Sequence, residues 1–280
     1  MNLLNQFSII DFIKLNSKKI SPDKPNKYKR EIELITQKVL GCTRVDLYTK
    51  KDLYINQENI KIISDYINRL QNGEPVQYIL QQAYFYGRTF FVNNTVLIPR
   101  FDSELIIDIL KKHPICDKLL DIGTGSGNLA ITIAEENMAD NIWATDIEEN
   151  KLSVAKHNKQ TLSPKSNIQF MIDDFLDSKI TQQFDIIVSN PPYIPQNQIK
   201  NLISLVSLHE PLDSLTDGKD GYAFYKEFAL IGNNMLKDGG FMLLEIGVDN
   251  KLKELYNIFS NYSIEVFNVL NNILRVIKIF

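Results

Sequence analysis

Hydrophobic positions recur at helical spacing through the first quarter of the chain and then give way to short apolar runs. Ile9 to Leu15 and Tyr28 to Leu40 read as helices, the second with Ile32, Ile35 and Val39 on one face, and Ile60, Ile63, Ile67 and Leu70 repeat that spacing in a third. Between the first two, Lys18-Lys19 to Lys29-Arg30 reads as a basic, Pro-containing connector. Gly73-Glu74-Pro75 breaks the helical pattern, and Ala83-Tyr84-Phe85-Tyr86 and Thr89-Phe90-Phe91-Val92 read as two short strands around Gly87-Arg88. Helix Glu104 to Leu110 follows. Strand-like runs Lys118 to Ile122, Ile142 to Asp146, Ile168 to Ile172, Phe184 to Ser189 and Phe241 to Ile246 then alternate with helical stretches, among them Tyr222 to Leu236. Tyr262 to Phe267 and Ile273 to Phe280, parted by Asn271-Asn272, read as a closing pair of strands. Strands alternating with helices predict a doubly wound, largely parallel sheet. The expected organisation is a helical domain over 1–72, a β-hairpin linker over 73–94 and an α/β domain over 95–280.

Composition narrows the function classes. The 280 residues, 44% of them hydrophobic, suffice for one large core and one small one. A net charge of -3 argues against a dedicated nucleic-acid binder, although residues up to Pro75 carry 13 Lys/Arg against 9 Asp/Glu, net +4. Cys42 and Cys116 are too few and too far apart for a disulfide framework, and His113, His157 and His209 lack metal-ligand spacing, so no metal is assigned. No apolar run approaches the length of a membrane span, and Asp11 interrupts the most apolar N-terminal stretch, unlike a signal peptide. The expectation is a soluble, unexported cytoplasmic protein.

Two polar turns carry the chemistry. Asp121-Ile122-Gly123-Thr124-Gly125-Ser126-Gly127-Asn128 stands between a strand and a helix, where glycines let a ligand approach the backbone and a helix N-terminus favours negative charge. Asp146, 23 positions beyond Gly123, ends the second strand, where a carboxylate can grip both hydroxyls of a ribose. A dinucleotide fingerprint needs Gly at position 128, which is Asn128 here, so S-adenosylmethionine is favoured over NAD. Asp173-Asp174-Phe175 closes the third strand, with a carboxylate for the adenine amino group and Phe175 to cover the ring. The second turn is Asn190-Pro191-Pro192-Tyr193, stiffened by its prolines and rich in acceptors. The Asn190 side-chain oxygen and the Pro191 carbonyl can accept both hydrogens of a planar –NH2 group, and Tyr193 offers a ring face to it. With the first and fourth strands adjacent, both turns emerge at the carboxyl edge of the sheet and flank the switch-point crevice.

In these residues the sequence resembles the HemK-type protein-(glutamine N5) methyltransferases, which modify the glutamine of the Gly-Gly-Gln motif in peptide chain release factors. The resemblance runs through Glu74 to Tyr78, Tyr86-Gly87, Leu97-Ile98-Pro99-Arg100, Asp102, Glu104, Asp121 to Gly127, Asn190 to Tyr193, Glu210-Pro211, Asp220-Gly221 and Gly239-Gly240. It implies a class I S-adenosylmethionine-dependent methyltransferase fold, Rossmann-like with a seven-stranded mostly parallel sheet, behind a helical substrate-recognition domain. It also implies that Gly123 to Gly127, Asp146, Phe175 and Asn190 contact S-adenosylmethionine while Asn190 to Tyr193 hold the glutamine. Asp121 and Asp174 join the cofactor candidates, and Arg100 joins the substrate candidates. Asn190, Pro191 and Tyr193 are the catalytic candidates. Phe101, Ser103 and Phe175 stand where the family commonly has Pro, Thr and Trp. The expected partner is a release factor, met by a monomer without direct nucleic-acid or membrane contact. Two alternatives share the same turns: an adenine-N6 methyltransferase on DNA or RNA, and a catalytically idle cofactor-binding module.

Overall fold

The computed structural model describes residues 8–24, 26–50, 54–202, 209–248, 252–269 and 272–280. Two compact units divide at Gln81/Gln82, with His209 grouped with the first. The first is helical: α1 (Ile9–Ile20), α2 (Lys29–Leu40), α3 (Arg44–Thr49), α4 (Gln57–Gln71) and α5 (Val76–Leu80). Ser8, Thr43 and Asn56 cap α1, α3 and α4 with side-chain oxygens, and Thr43 forms a reciprocal capping box with Asp46. Ile13, Ile32, Ile35, Ile63, Ile67 and Ile79 fill the core between them. Lys18 and Lys19 lie in the last turn of α1, where they favour the helix dipole, and Lys29 and Arg30 open α2, so the basic connector is shorter than its sequence suggests. Helices α3 and α5 are too short to declare themselves by periodicity. Among the described residues, no helix is long and apolar enough to cross a membrane.

The second unit opens with a hairpin, β1 (Ala83–Phe85) and β2 (Arg88–Phe90), turned by Tyr86 and Gly87 at φ 45° and 78°. Two consecutive positive φ angles match the twist of the flanking strands. After α6 (Glu104–Leu110) come β3 (Cys116–Ile122), α7 (Asn128–Glu135), β4 (Ala139–Asp146), α8 (Glu149–Leu162), β5 (Ile168–Ile172), β6 (Phe184–Ser189), α9 (Gln196–Leu202), α10 (Ala223–Met235), β7 (Leu236–Glu245), α11 (Leu252–Ile258), β8 (Ile264–Val269) and β9 (Ile273–Ile279). The seven-stranded sheet has the order β5-β4-β3-β6-β7-β9-β8. Strands β3 to β7 pair in parallel, while β9 is antiparallel to both neighbours. Apolar side chains cover both faces: Leu119, Ile131, Ile142 and Leu243 belong to one core, and Leu120, Ile187, Phe228 and Met242 to the other. Strand β3 lies beside β6, pairing Ile122 with Ser189 at their carboxyl ends. The chain order reverses there, so the loops that follow β3 and β6 part and leave a crevice.

Candidate active site

The glycine turn after β3 has three members in the left-handed region, Gly123, Gly125 and Gly127, at φ 71°, 53° and 79°. Their reasons differ. A Cβ on Gly123 or Gly125 would stand in open space, whereas one on Gly127 would lie 2.9 Å from Ile131 Cδ1 and 3.2 Å from Ala155 Cβ. The first two leave the backbone bare to a ligand, and the third lets α7 and α8 approach. Asp121 braces the turn from beneath: its Oδ2 accepts the Thr124 hydroxyl at 2.6 Å and the Ala130 N–H at 3.2 Å. Burial pushes the Asp121 carboxyl up to about 7 against those two hydrogen bonds, and its Oδ1 is buried without a partner among the described residues.

Asp146, at the end of β4, accepts the Gly125 N–H at 2.8 Å through Oδ2 and the Ile147 N–H at 2.9 Å through Oδ1. Burial raises its pKa, opposed by the charge of Lys151 and by those two N–H groups. Lys151, in the first turn of α8, is buried on the cavity wall with Nζ 2.5 Å from Asp213 Oδ2 and 3.8 Å from Asp146 Oδ1. Beyond β5, Asp174 Oδ1 accepts the Leu176 N–H at 3.1 Å and starts a 3-10 turn, Phe175–Asp177. Phe175 is buried against Phe228 and near-parallel to Phe224, with ring centroids 4.3 and 6.0 Å away.

The acceptor side rises from β6. Asn190 Nδ2 donates to Ser103 Oγ at 3.1 Å, and the Ser103 hydroxyl donates to Glu245 Oε2. Tyr193 donates its hydroxyl to Glu245 Oε1 at 3.0 Å, which turns that end of the ring toward the protein interior. Burial beside the Glu245 carboxylate raises the Tyr193 pKa, so it stays a neutral donor. Arg100 Nη2 reaches both oxygens of the buried Glu210, at 2.8 and 2.7 Å, tying the segment before α6 to the loop that precedes α10. That loop is held further by Ile194 N–H to Leu215 O at 3.0 Å and by Asp217, whose Oδ2 accepts the Ala223 N–H at 2.9 Å.

A cavity of about 280 Å³ joins these parts. Of the residues expected from sequence, Gly123, Thr124, Gly125, Ser126, Asp146, Asp174, Phe175, Asn190, Pro191, Pro192 and Arg100 line it. Asp121, Gly127 and Tyr193 stand behind the wall, each bracing a lining element. Lys151, Asp213 and Phe224 line it without having been anticipated, and Ser103 joins them through its contact with Asn190. A lysine in the first turn of an amphipathic helix carries no sequence signal; the single charge of Glu245 inside the apolar run Phe241 to Ile246 was a signal, and it marks the residue behind Asn190.

Comparison with known proteins accords with this geometry. The methyltransferase small domain matches residues 100–244 and the PrmC N-terminal domain matches residues 20–80. The release factor glutamine methyltransferase of Bacillus subtilis is 37% identical over 224 residues, which is 77% of either chain. That of Clostridium acetobutylicum is 32% identical over 239 residues, 84% of either chain. The chain belongs to the release factor glutamine methyltransferase family. The crystal structure of a methyltransferase from Pyrococcus furiosus is similar over 78% of this chain and 98% of that one, with a TM-score of 0.53 and 18% identity, a likeness of fold alone. S-adenosylmethionine is the methyl donor in this family, and the residues present fit it. Gly123 and Gly125 leave room at the backbone, the Asp146 carboxylate retains lone pairs that could take a diol, and Asp173 Oδ2, buried without a hydrogen-bond partner among the described residues, could accept from an amino group.

Proposed function

We propose that this enzyme methylates the side-chain amide nitrogen, N5, of the glutamine in the Gly-Gly-Gln motif of peptide chain release factors, acting as a cytoplasmic monomer without direct nucleic-acid contact. The observation that carries the reading is the Asn190 amide: its donor side is occupied by Ser103, which leaves Oδ1 as an acceptor in the cavity that Gly123 to Ser126 also line. The Pro191 carbonyl is the second acceptor for the two hydrogens of a carboxamide.

S-adenosylmethionine, when bound, supplies an electrophilic sulfonium methyl group and leaves as a neutral thioether. An amide nitrogen is a weak nucleophile because its lone pair is delocalised into the carbonyl. Acceptors on both of its hydrogens orient that lone pair along the line of attack and strengthen as positive charge grows on nitrogen, which is stabilisation specific to the transition state. The N-methylated nitrogen is strongly acidic and loses its proton to water, so no strong base is required. Asp146 positions the donor and Asn190 with Pro191 the acceptor. The helical unit ending at Gln81 is read as the part that recognises the release factor, a reading supported by its match to the PrmC N-terminal domain.

The test is methyl transfer from labelled S-adenosylmethionine, offered in parallel to a purified release factor, its Gln→Ala variant in the Gly-Gly-Gln loop, and duplex DNA. Label on the native factor alone is expected; label on DNA would replace the proposal with adenine-N6 chemistry.

A further inference from the structure

Behind Asn190 lies a buried polar chain that the transfer reaction does not touch. Ser103 and Glu245 are each 1% exposed, and they come from elements far apart in sequence: the 3-10 turn before α6 and the end of β7. We propose that Ser103 and Glu245 are positioning residues that set the direction of the Asn190 side-chain amide. An ionised carboxylate only accepts, so the Ser103 hydroxyl must give its one proton to Glu245. Ser103 Oγ then has only lone pairs for Asn190. The Nδ2 group is therefore the end of the amide that faces Ser103, and Oδ1 is the end left for the substrate. Reversing the amide would set Oδ1 against a lone pair and present two N–H groups to the –NH2 of the substrate, which has no acceptor to offer them.

The direction of the chain follows the charge on Glu245. The groups facing it are Ser103, Tyr193 after β6, Asp102 beside Ser103, Arg275 on β9, and Tyr225 on α10, whose hydroxyl donates to the Glu245 main-chain oxygen at 2.8 Å. Burial pushes the Glu245 carboxyl up to about 7, aided by Asp102 and opposed by the Ser103 and Tyr193 bonds and by Arg275. Once protonated, Glu245 can donate to Ser103 Oγ, which frees the Ser103 hydroxyl to donate toward Asn190 and removes the bias on the amide. Turnover therefore rises with pH through an acid limb near neutrality.

This inference rests on the amide-transfer reading only for the identity of the substrate. Its test uses the full-length enzyme with Ser103→Ala, Ser103→Thr and Glu245→Gln, measuring kcat on release factor from pH 5.5 to 8.5 and cofactor affinity by calorimetry. Ser103→Ala is expected to lose about ten- to a hundredfold in kcat, the scale of losing a partner that orients a site residue from behind. Ser103→Thr, which keeps the hydroxyl, is expected to stay within about threefold of wild type, with cofactor affinity equally preserved in both. Glu245→Gln is expected to lack the acid limb. A Ser103→Ala enzyme with wild-type kcat, a Ser103→Thr enzyme as poor as Ser103→Ala, or an acid limb that persists in Glu245→Gln would overturn the proposal. A readout without turnover is hydrogen exchange of the Asn190 side-chain amide in 15N-asparagine-labelled protein. Slow exchange in wild type and fast exchange in Ser103→Ala is expected, and equal rates would overturn the proposal. Should the wild type leave release factor unlabelled, the functional reading falls while this exchange measurement still decides the role of Ser103.

Discussion

The buried Lys151 ammonium lies 3.8 Å from the Asp146 carboxylate on the wall of the cofactor cavity. Burial disfavours the charged form of Asp146, and Lys151 opposes that effect. Replacing the cation by an apolar side chain, as in Lys151→Met, raises the Asp146 pKa further, so a larger fraction of the carboxylate is protonated as pH falls. S-adenosylhomocysteine binding to the variant is expected to weaken relative to wild type as pH falls, more at pH 6 than at pH 8, measured by titration calorimetry.

Asn190 and Asp146 divide the site between acceptor and donor. Asn190→Ala is expected to lower kcat by about a hundredfold or more with cofactor affinity little changed, as for loss of a hydrogen bond formed at the reacting centre. Asp146→Ala is expected to act chiefly on cofactor affinity. Single-turnover rates at saturating cofactor separate the two, and indistinguishable profiles in the two variants would sink the division.

Gly127 has two independent reasons to lack a side chain, a φ of 79° and the proximity of Ile131 and Ala155. Gly127→Ala is expected to destabilise the fold by roughly 2–4 kcal/mol, adding overpacking to left-handed strain. Gly41, at φ 62° with open space where its Cβ would stand, isolates the strain alone, so Gly41→Ala is expected to cost about 1 kcal/mol. Urea unfolding of the two variants gives the comparison.

Asp121 couples stability to pH. Its folded pKa of about 7 lies above its ordinary value of 3.8, so the folded state binds the proton more tightly. The contribution is fully present below about pH 4 and is lost as pH rises through 7, amounting to roughly 4 kcal/mol at most. Asp121→Asn does not titrate. The stability difference, wild type minus variant, is expected to fall between pH 4 and 7 and to be flat above; a difference constant with pH would refute the coupling.

The parts of the site that could be read from sequence are those whose chemistry is local in the chain. Gly123 to Gly127, Asp146, Asp174-Phe175 and Asn190 to Pro192 each lie at or just beyond the end of a strand, and the parallel order carries all of those strand ends to one edge. The parts that escaped are pairs made by folding. Ser103 and Glu245 are 142 positions apart, and Lys151 and Asp213 are 62 apart, so neither pair leaves a spacing to recognise. Tyr193 was expected to offer its ring to the substrate, but the fold takes its hydroxyl to Glu245 and keeps it off the cavity wall. Arg100, expected to meet the substrate, lines the cavity with its charge already matched by Glu210. The same distinction explains the elements: strands Ile168–Ile172 and Phe184–Ser189 match their apolar runs, while β7 begins at Leu236, directly after α10, ahead of the apolar run from Phe241, because Lys237 to Gly240 are polar or small and leave no strand signal.

The order of the last strands bears on how the protein is made. Among the described residues strand β8 pairs only with β9, and β9 is the partner of β7 along Met242 to Glu245. During synthesis β7 and β8 leave the ribosome before the strand that joins them, so for that interval β7 presents an unpaired edge to neighbouring chains. Glu245 sits on that edge, opposite Val276. The residue placed behind the acceptor amide thus acquires its final surroundings only when β9 arrives, and a nascent chain that has completed every loop of the cavity still lacks the Val276 pairing and the Arg275 charge beside Glu245.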